Sequence, residues 1–400
     1  MTDAGDQVAR DHVFTFSYET YNDAVQRGMM RPPDRILQTL MTNPRVGRLL
    51  VANPWRSRLG HSVRRITGRD ARFPETSSRR LVQPVRLSRA DPLSPRGLVA
   101  SMRAYDRVLR EEADRLGLVA PCVLTTNPLV AAFAPFAWAS TVTYFGRDDW
   151  LSADDRARYR PAFRAAYRQI SESEIAVVAV SQQIVDRIDP RGPARVIPNG
   201  IDPAEWLGPR PEAPAWLARI PGPRALYVGT LDARLDVDGI LALSASRPEL
   251  SIVLLGPVGD EAAVAPLRDR RNVWIQPGVG RTELVAALRN ADAALLAHRR
   301  TPLTEAMSPL KVYEYLAAGL PVVAIDLPPV RSLGPRVLLT GGTAEMGEAV
   351  DAALAMGVAS EDERVEWIAQ NSWSARHAAL LDVTTRSALF RRGEESRSGV

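Results

Sequence analysis

Short apolar runs of four to seven residues, each too brief for a buried helix, recur along the chain and alternate with helical stretches. In the first half the runs fall at 13–18, 48–53, 122–126, 141–145, 175–181 and 195–198, with helical periodicity at 98–116 and 153–171. In the second half they fall at 225–229, 251–256, 273–276, 293–297, 321–325 and 337–340, with helices at 281–290 and 309–318. Runs that are apolar on both faces suit parallel strands covered by helices on either side. Two such sets predict an α/β chain of two doubly wound, Rossmann-like domains. A length of 400 residues is what two domains require.

The boundary reads from proline. Residues 203–223 carry Pro203, Pro209, Pro211, Pro214, Pro221 and Pro223 with little periodicity, the mark of an interdomain linker. The expected layout is a domain over 1–202, the linker, a second domain over 224–360, helices over 361–390 packing back toward the first domain, and a disordered tail over 391–400. Residues 60–95, rich in Arg, Ser and Pro, read as an irregular loop.

Several classes drop out. A single cysteine, Cys122, forms no intramolecular disulfide and fits a reducing, cytoplasmic compartment. Four histidines and one cysteine argue against a structural zinc site. The longest mostly apolar run, 129–139, is far short of the roughly 20 residues that span a bilayer. Asp3, Asp6 and Asp11 interrupt the N-terminus, which does not read as a signal peptide. Charge is uneven: 30 Arg against 21 acids in residues 1–200, and 21 basic residues against 25 acids in 201–400. Residues 45–89 alone hold 12 Arg against Asp70 and Glu75, which fits either a solvated loop or an anionic neighbour such as a membrane surface. Of the 51 basic residues, only Lys311 is lysine.

Open parallel sheets bind ligands beyond the carboxyl ends of their strands. The dinucleotide glycine fingerprint is absent after 13–18, as is a phosphate loop ending in Gly-Lys-Ser/Thr. The informative segment is 304–325. Ser308 suits an N-cap, Pro309 the first helical position, and Gly319 a terminator. Free amides beside Leu310 and Lys311 make an anion site, to which Lys311 adds a full charge. Glu314, three residues on, shares a face with Lys311 and suits ribose hydroxyls. A capped helix with a Lys–Glu surface pair worth about 0.3–0.5 kcal/mol explains the same residues without a ligand.

The run SPLKVYEYLAAGLPVVA resembles the donor-site signature of GT-B glycosyltransferases of the family 4 clan. The likeness covers nearly the whole chain. YVGTLDARLD at 227–236, LLGPVGDEA at 254–262, RVIPNGID at 195–202 and QRGMMRPPDRILQTL at 26–40 resemble a bacterial subgroup linked to cell-surface polysaccharides. The resemblance implies two Rossmann-like domains facing a cleft, the second holding a nucleotide sugar and the first a glycan or lipid-linked acceptor. It implies transfer with retention and no cofactor, the nucleotide sugar being a substrate. Glu314 matches the second glutamate of the family pattern; Ala306 stands where the first belongs, with Glu305 one residue out of register. Thr230 replaces the family's arginine after Gly229, and Arg234 in the same loop is the substitute at the diphosphate.

Asp236-Val237-Asp238 spells a DxD but lies at a helix start, where Asp caps; no metal site is expected. Asp148 and Asp149 follow the run 141–145 at its carboxyl end and are candidate bases or hydroxyl binders, or simply loop charges. Arg27 and Arg31 are candidates for an acceptor phosphate. His12 and His298 flank strands and read as structural or surface residues rather than catalytic ones. The expectation is a metal-independent glycosyltransferase, cytoplasmic or peripheral on the inner membrane face, with Lys311 and Arg234 neutralising the departing diphosphate. The rivals are a sugar-nucleotide epimerase on the same fold, a basic nucleic-acid-binding protein lacking any recognisable motif, and a scaffold that has lost catalysis.

Overall fold

The computed structural model describes residues 9–58, 71–88, 90–342 and 345–395. It divides into two units, one of Met1–Pro198 with His377–Val400, the other of Asn199–Arg376.

The first unit is built on β1 (Arg10–Thr15), β2 (Val46–Ala52), β4 (Arg79–Val82), β6 (Cys122–Thr125), β7 (Thr141–Gly146), β8 (Ala176–Ala179) and β9 (Ala194–Val196), in the order β4-β2-β1-β6-β7-β8-β9. All pair in parallel. Two short strands, β3 (Arg56–Ser57) and β5 (Val85–Arg86), form a separate parallel pair. Val13, Phe14, Leu49, Leu50, Val123, Leu124, Val177 and Val178 are fully buried, which is why these strands read as continuous apolar runs. The loop expected over 60–95 contains β4 and β5; residues 59–70 lie outside the described residues. β4 is the sheet's edge, only half-buried, and its Arg-Arg-Leu-Val sequence gives no strand signal.

The second unit has β10 (Arg224–Val228), β11 (Ser251–Leu255), β12 (Val273–Gln276), β13 (Ala293–Leu296), β14 (Val322–Ile325) and β15 (Val337–Thr340), all parallel. Their order is β12-β11-β10-β13-β14-β15. The chain winds outward from β10 in one direction and then from β13 in the other, so the crevice between β10 and β13 is the switch point where such sheets take ligands.

The linker expected over 203–223 is instead part of the second unit. Pro203–Trp206 and Ala215–Ala218 are helical, and Trp206, Leu217 and Ile220 sit in its core. Proline spacing gave no sign of this, because three large side chains, not periodicity, anchor the segment. The C-terminal region divides. Helix Glu361–Gln370 stays in the second unit, whereas residues from His377 join the first. There Asp382 pairs with Arg45 at 2.8 Å and Thr141 Oγ1 donates to the Thr384 carbonyl at 2.9 Å. The last helix runs from Trp373 to Glu395, into the segment expected to be disordered; 396–400 lie outside the described residues.

Candidate functional site

Helix Leu310–Ala317 carries the centre of the site. At the carboxyl end Gly319 (φ 87°) is left-handed, its N–H donates to the Leu316 carbonyl and that of Leu320 to Tyr315, closing a Schellman motif. The buried Arg364 guanidinium donates to the last carbonyl, Ala317, and to Trp206. In the same last turn, Tyr315 Oη accepts from the Val228 N–H at 2.8 Å, tying the helix to the tip of β10.

The amino end begins one residue later than expected. Pro309 is the N-cap and makes no side-chain cap. Ser308 is not the cap: it is buried, its Oγ faces the Asn199 N–H at 3.4 Å, and its carbonyl accepts from Asn199 Nδ2 at 2.7 Å. A proline cap has no hydroxyl or carboxylate to offer the first amides.

Lys311 reaches back from this end across the switch point. Its Nζ lies 3.2 Å from His298 Nε2 and 4.0 Å from the centroid of the Tyr227 ring. Gly229 makes room for it: the residue is left-handed at φ 142°, and a Cβ there would lie 2.7 Å from Nζ. Burial lowers the Lys311 pKa to about 7; Arg234 adds to this, and Asp232 and Glu314 oppose it. The ordinary value is 10.5, so between pH 7 and 10.5 the unfolded chain binds one more proton than the folded chain. Stability from this group rises with pH across that window, by up to about 1.4 kcal/mol per unit, and is lost as pH falls through 7. Chemical unfolding of wild type and Lys311→Met from pH 7 to 9 is therefore expected to show wild type gaining on the variant. A constant difference contradicts the lowered pKa of Lys311.

His298 was expected to be a structural or surface residue, yet the fold brings it into this group. It is 1% exposed, and Tyr227 Oη stands 3.3 Å from the same Nε2. Burial, with Lys311 and Arg234 close by, holds its pKa well below the usual histidine range. Nothing in the local sequence marks it, since its partners come from β10 and from a helix 12 residues downstream. Arg234 is engaged bidentately by Asp232, at 2.9 and 2.6 Å, within its own loop.

Glu314 does not pair on the surface with Lys311. It is buried, and Arg281 Nη1 meets its Oε1 at 2.5 Å. Arg281 also donates to Glu205 at 2.8 and 2.6 Å and lies over the Trp206 ring. Burial raises the Glu314 pKa and Arg281 offsets part of that. Glu305 pairs with Arg300 at 2.8 Å, and Ala306 is buried. Asp236 Oδ1 accepts from the Gly239 N–H at 3.2 Å as a helix cap, while Asp238 is exposed and 3.5 Å from Arg299. Among the described residues no group of three or more His, Cys, Asp or Glu is placed to hold a metal ion.

In the first unit, Glu19 gathers three arginines. Arg27 meets it at 3.2 Å, Arg147 at 3.2 Å, and Arg31 also pairs with it. Asp34, fully buried, takes Arg27 at 2.7 and 2.6 Å, and Asp148 takes Arg147 at 2.7 Å. Arg27, Arg31 and Asp148 are thus assembled in one cluster. Asp149 points elsewhere: it is buried and accepts from Ser152 Oγ at 2.6 Å and the Leu151 N–H, so its carboxylate is committed to the turn. Phe16, Tyr18, Trp55, Asp91, Tyr105 and Asn127 line a pocket beyond the carboxyl ends of β1, β2 and β6. The Arg-rich segment is less cationic than its own acids imply: Arg45, Arg48, Arg80 and Arg86 pair with Asp382, Asp11, Glu112 and Asp91. His12 is buried in β1 with Nδ1 2.8 Å from the Arg10 carbonyl oxygen.

The architecture matches solved enzymes over nearly its full length. Sucrose-phosphate synthase from Thermosynechococcus elongatus aligns with a TM-score of 0.62 at 14% identity, covering 97% of this chain and 100% of that one. The α,α-trehalose 6-phosphate synthase of Burkholderia multivorans aligns at 0.64 and 12%, covering 96% and 100%. Anabaena HepE in complex with UDP aligns at 0.60 and 14%, covering 94% and 100%. The fold is GT-B. Residues 56–205 match the model of Glycosyltransferase Family 4. A curated relative, a putative teichuronic acid biosynthesis glycosyltransferase of Bacillus subtilis, is 29% identical over 105 residues, spanning 26% of each chain. No helix among the described residues is long and apolar enough to cross a membrane.

Proposed function

We propose that this GT-B chain is a glycosyltransferase whose second unit holds a nucleoside diphosphate sugar and whose first unit holds the acceptor. The observation that carries the reading is the convergence at the β10/β13 switch point. There the Lys311 ammonium, the space left by Gly229 and the amino end of helix Leu310–Ala317 meet. The diphosphate lies against the ammonium and the helix amides, which stabilise the negative charge that grows as the glycosidic bond to phosphate breaks. Glu314, oriented by Arg281, accepts ribose hydroxyls. Arg234 contributes charge from its loop, shared with Asp232. Arg27 and Arg31, paired with Glu19, and Asp148, paired with Arg147, are the acceptor-side candidates, Asp148 as an acceptor for a substrate hydroxyl. A glycan or lipid-linked acceptor in polysaccharide assembly fits this reading, which the Bacillus subtilis relative's name supports. Attraction of the Arg-rich segment 45–89 to an anionic bilayer fits it too, and salt-sensitive co-sedimentation with anionic liposomes checks that point.

Thermal unfolding with UDP, GDP and dTDP tests the donor site. One of the three is expected to stabilise the protein, by about 2.7 kcal/mol at a hundredfold excess over Kd. No response to any of them contradicts the reading. Transfer is expected to be retentive and to persist in excess EDTA, since Asp236 serves the helix that follows it. Asp236→Ala should cost about 1 kcal/mol of stability and leave transfer intact. Activity lost on chelation and restored by Mg²⁺ or Mn²⁺ contradicts this.

A further inference from the structure

The histidine beside the lone lysine has a donor-site role that its burial conceals. His298 Nε2 faces two donors, Lys311 Nζ at 3.2 Å and Tyr227 Oη at 3.3 Å. Against the ammonium form of Lys311, which can only donate, Nε2 must be the acceptor and the ring proton sits on Nδ1. Nδ1 is buried and has no hydrogen-bond partner among the described residues. The one ring nitrogen that has a partner is the one turned to Lys311 and Tyr227.

Resting on the donor reading above, we propose that His298 is a positioning residue for Lys311. It is a neutral acceptor that fixes the ammonium over Gly229 without cancelling its charge, so that the charge is left for the donor's diphosphate. A carboxylate in the same place would hold the ammonium equally well and neutralise it. The charged and titratable groups around the pair are Arg234 and Asp232 from the loop after β10, Glu314 from the helix, and Tyr227 from β10. Arg234 and Asp232 engage each other, and Glu314 is held by Arg281. Of the carboxylates, neither is hydrogen-bonded to Nζ; His298 is.

The proposal makes binding proton-linked. Burial lowers the Lys311 pKa to about 7, and the group must be charged against a diphosphate. Affinity therefore falls with rising pH, by up to about tenfold per unit, as one proton is taken up on binding. The window to use is pH 7.5–9, above the second ionisation of a terminal phosphate at about 6.

The test is calorimetric titration of UDP, GDP and dTDP into wild type, His298→Asp and His298→Phe at several pH values in that window, with a thermal melt of each. For whichever nucleotide binds wild type, affinity should decline with pH. His298→Asp should flatten that decline, because the new carboxylate keeps Lys311 protonated, and should bind about tenfold more weakly at pH 7.5 through loss of net charge. His298→Phe, which fills the site but takes the acceptor from Lys311 Nζ and Tyr227 Oη, should melt somewhat lower than wild type, remain folded at the titration temperature, and bind about tenfold more weakly, because the ammonium loses its anchor. If His298→Asp fails to fold, the Phe variant alone decides: wild-type affinity overturns the proposal. A wild-type slope in His298→Asp overturns it as well. If no nucleotide binds wild type, the donor reading itself fails and takes this inference with it.

Discussion

Lys311→Met is expected to slow transfer by about a hundred- to a thousandfold, the loss seen when one preorganised donor to a developing negative charge is removed. Stability should hold or increase, because methionine fills the same space without burying an ammonium. The unusual point is the companion variant. Lys311→Arg preserves charge, yet it should lose most of this activity. Nζ already lies where a Cβ on Gly229 would be 2.7 Å away, and a planar guanidinium is wider than an ammonium. Turnover and KM for the nucleotide sugar, measured on both variants beside a melt, check the pair. Wild-type turnover in Lys311→Met places the diphosphate elsewhere; full activity in Lys311→Arg removes the crowding argument.

The second large effect concerns the support beneath the donor site. Arg281→Leu is expected to cost about 3–5 kcal/mol, the penalty for leaving one member of a buried ion pair unmatched. Glu314 is the member left behind, 7% exposed against the Arg281 guanidinium. Glu205, the other partner, keeps more contact with water. Adding Glu314→Leu should recover much of the loss while abolishing nucleotide binding, so stability and function separate. The pH dependence has a definite sign. Burial already raises the Glu314 pKa, and removal of Arg281 raises it further. A folded-state pKa above the unfolded value favours folding at low pH, so the single variant's deficit should shrink as pH falls. Urea unfolding at pH 5 and pH 8 checks this; a deficit equal at both, or below 1 kcal/mol, contradicts a buried pair.

The strands of both sheets could be read from sequence because parallel strands are buried on both faces, which writes itself as runs such as SIVLL in β11. The segments that escaped were those held by something other than periodicity. β4 is an edge of two arginines and two aliphatics, and 203–223 folds around Trp206, Leu217 and Ile220. Lys311 and Glu314 could be placed on one helix from sequence because Gly319 stops it and Pro309 stands near its start. Their partners could not. Arg281 opens a helix some 30 residues earlier, Glu205 lies further back, and His298 follows β13, so only the closed sheet brings them near. Asp148 and Asp149 are adjacent in sequence and looked equivalent; the turn faces one toward Arg147 and the other inward to Ser152. Ser308 failed as a cap because Asn199 claims it.

Lys311 is the chain's only lysine, and this makes the donor site open to direct chemical mapping. An amine-selective acylating reagent can modify the α-amine and Lys311, and peptide mapping separates the two. A pKa lowered to about 7 leaves a substantial share of Lys311 as free amine at neutral pH. Labelling with and without each nucleoside diphosphate, followed by transfer assay, is the most direct test of a phosphate site at this residue. The expected result is that Lys311 acylation abolishes transfer and that the nucleotide which stabilises the protein also protects Lys311. Protein fully acylated at Lys311 that keeps its activity, with no nucleotide slowing the reaction, would contradict it.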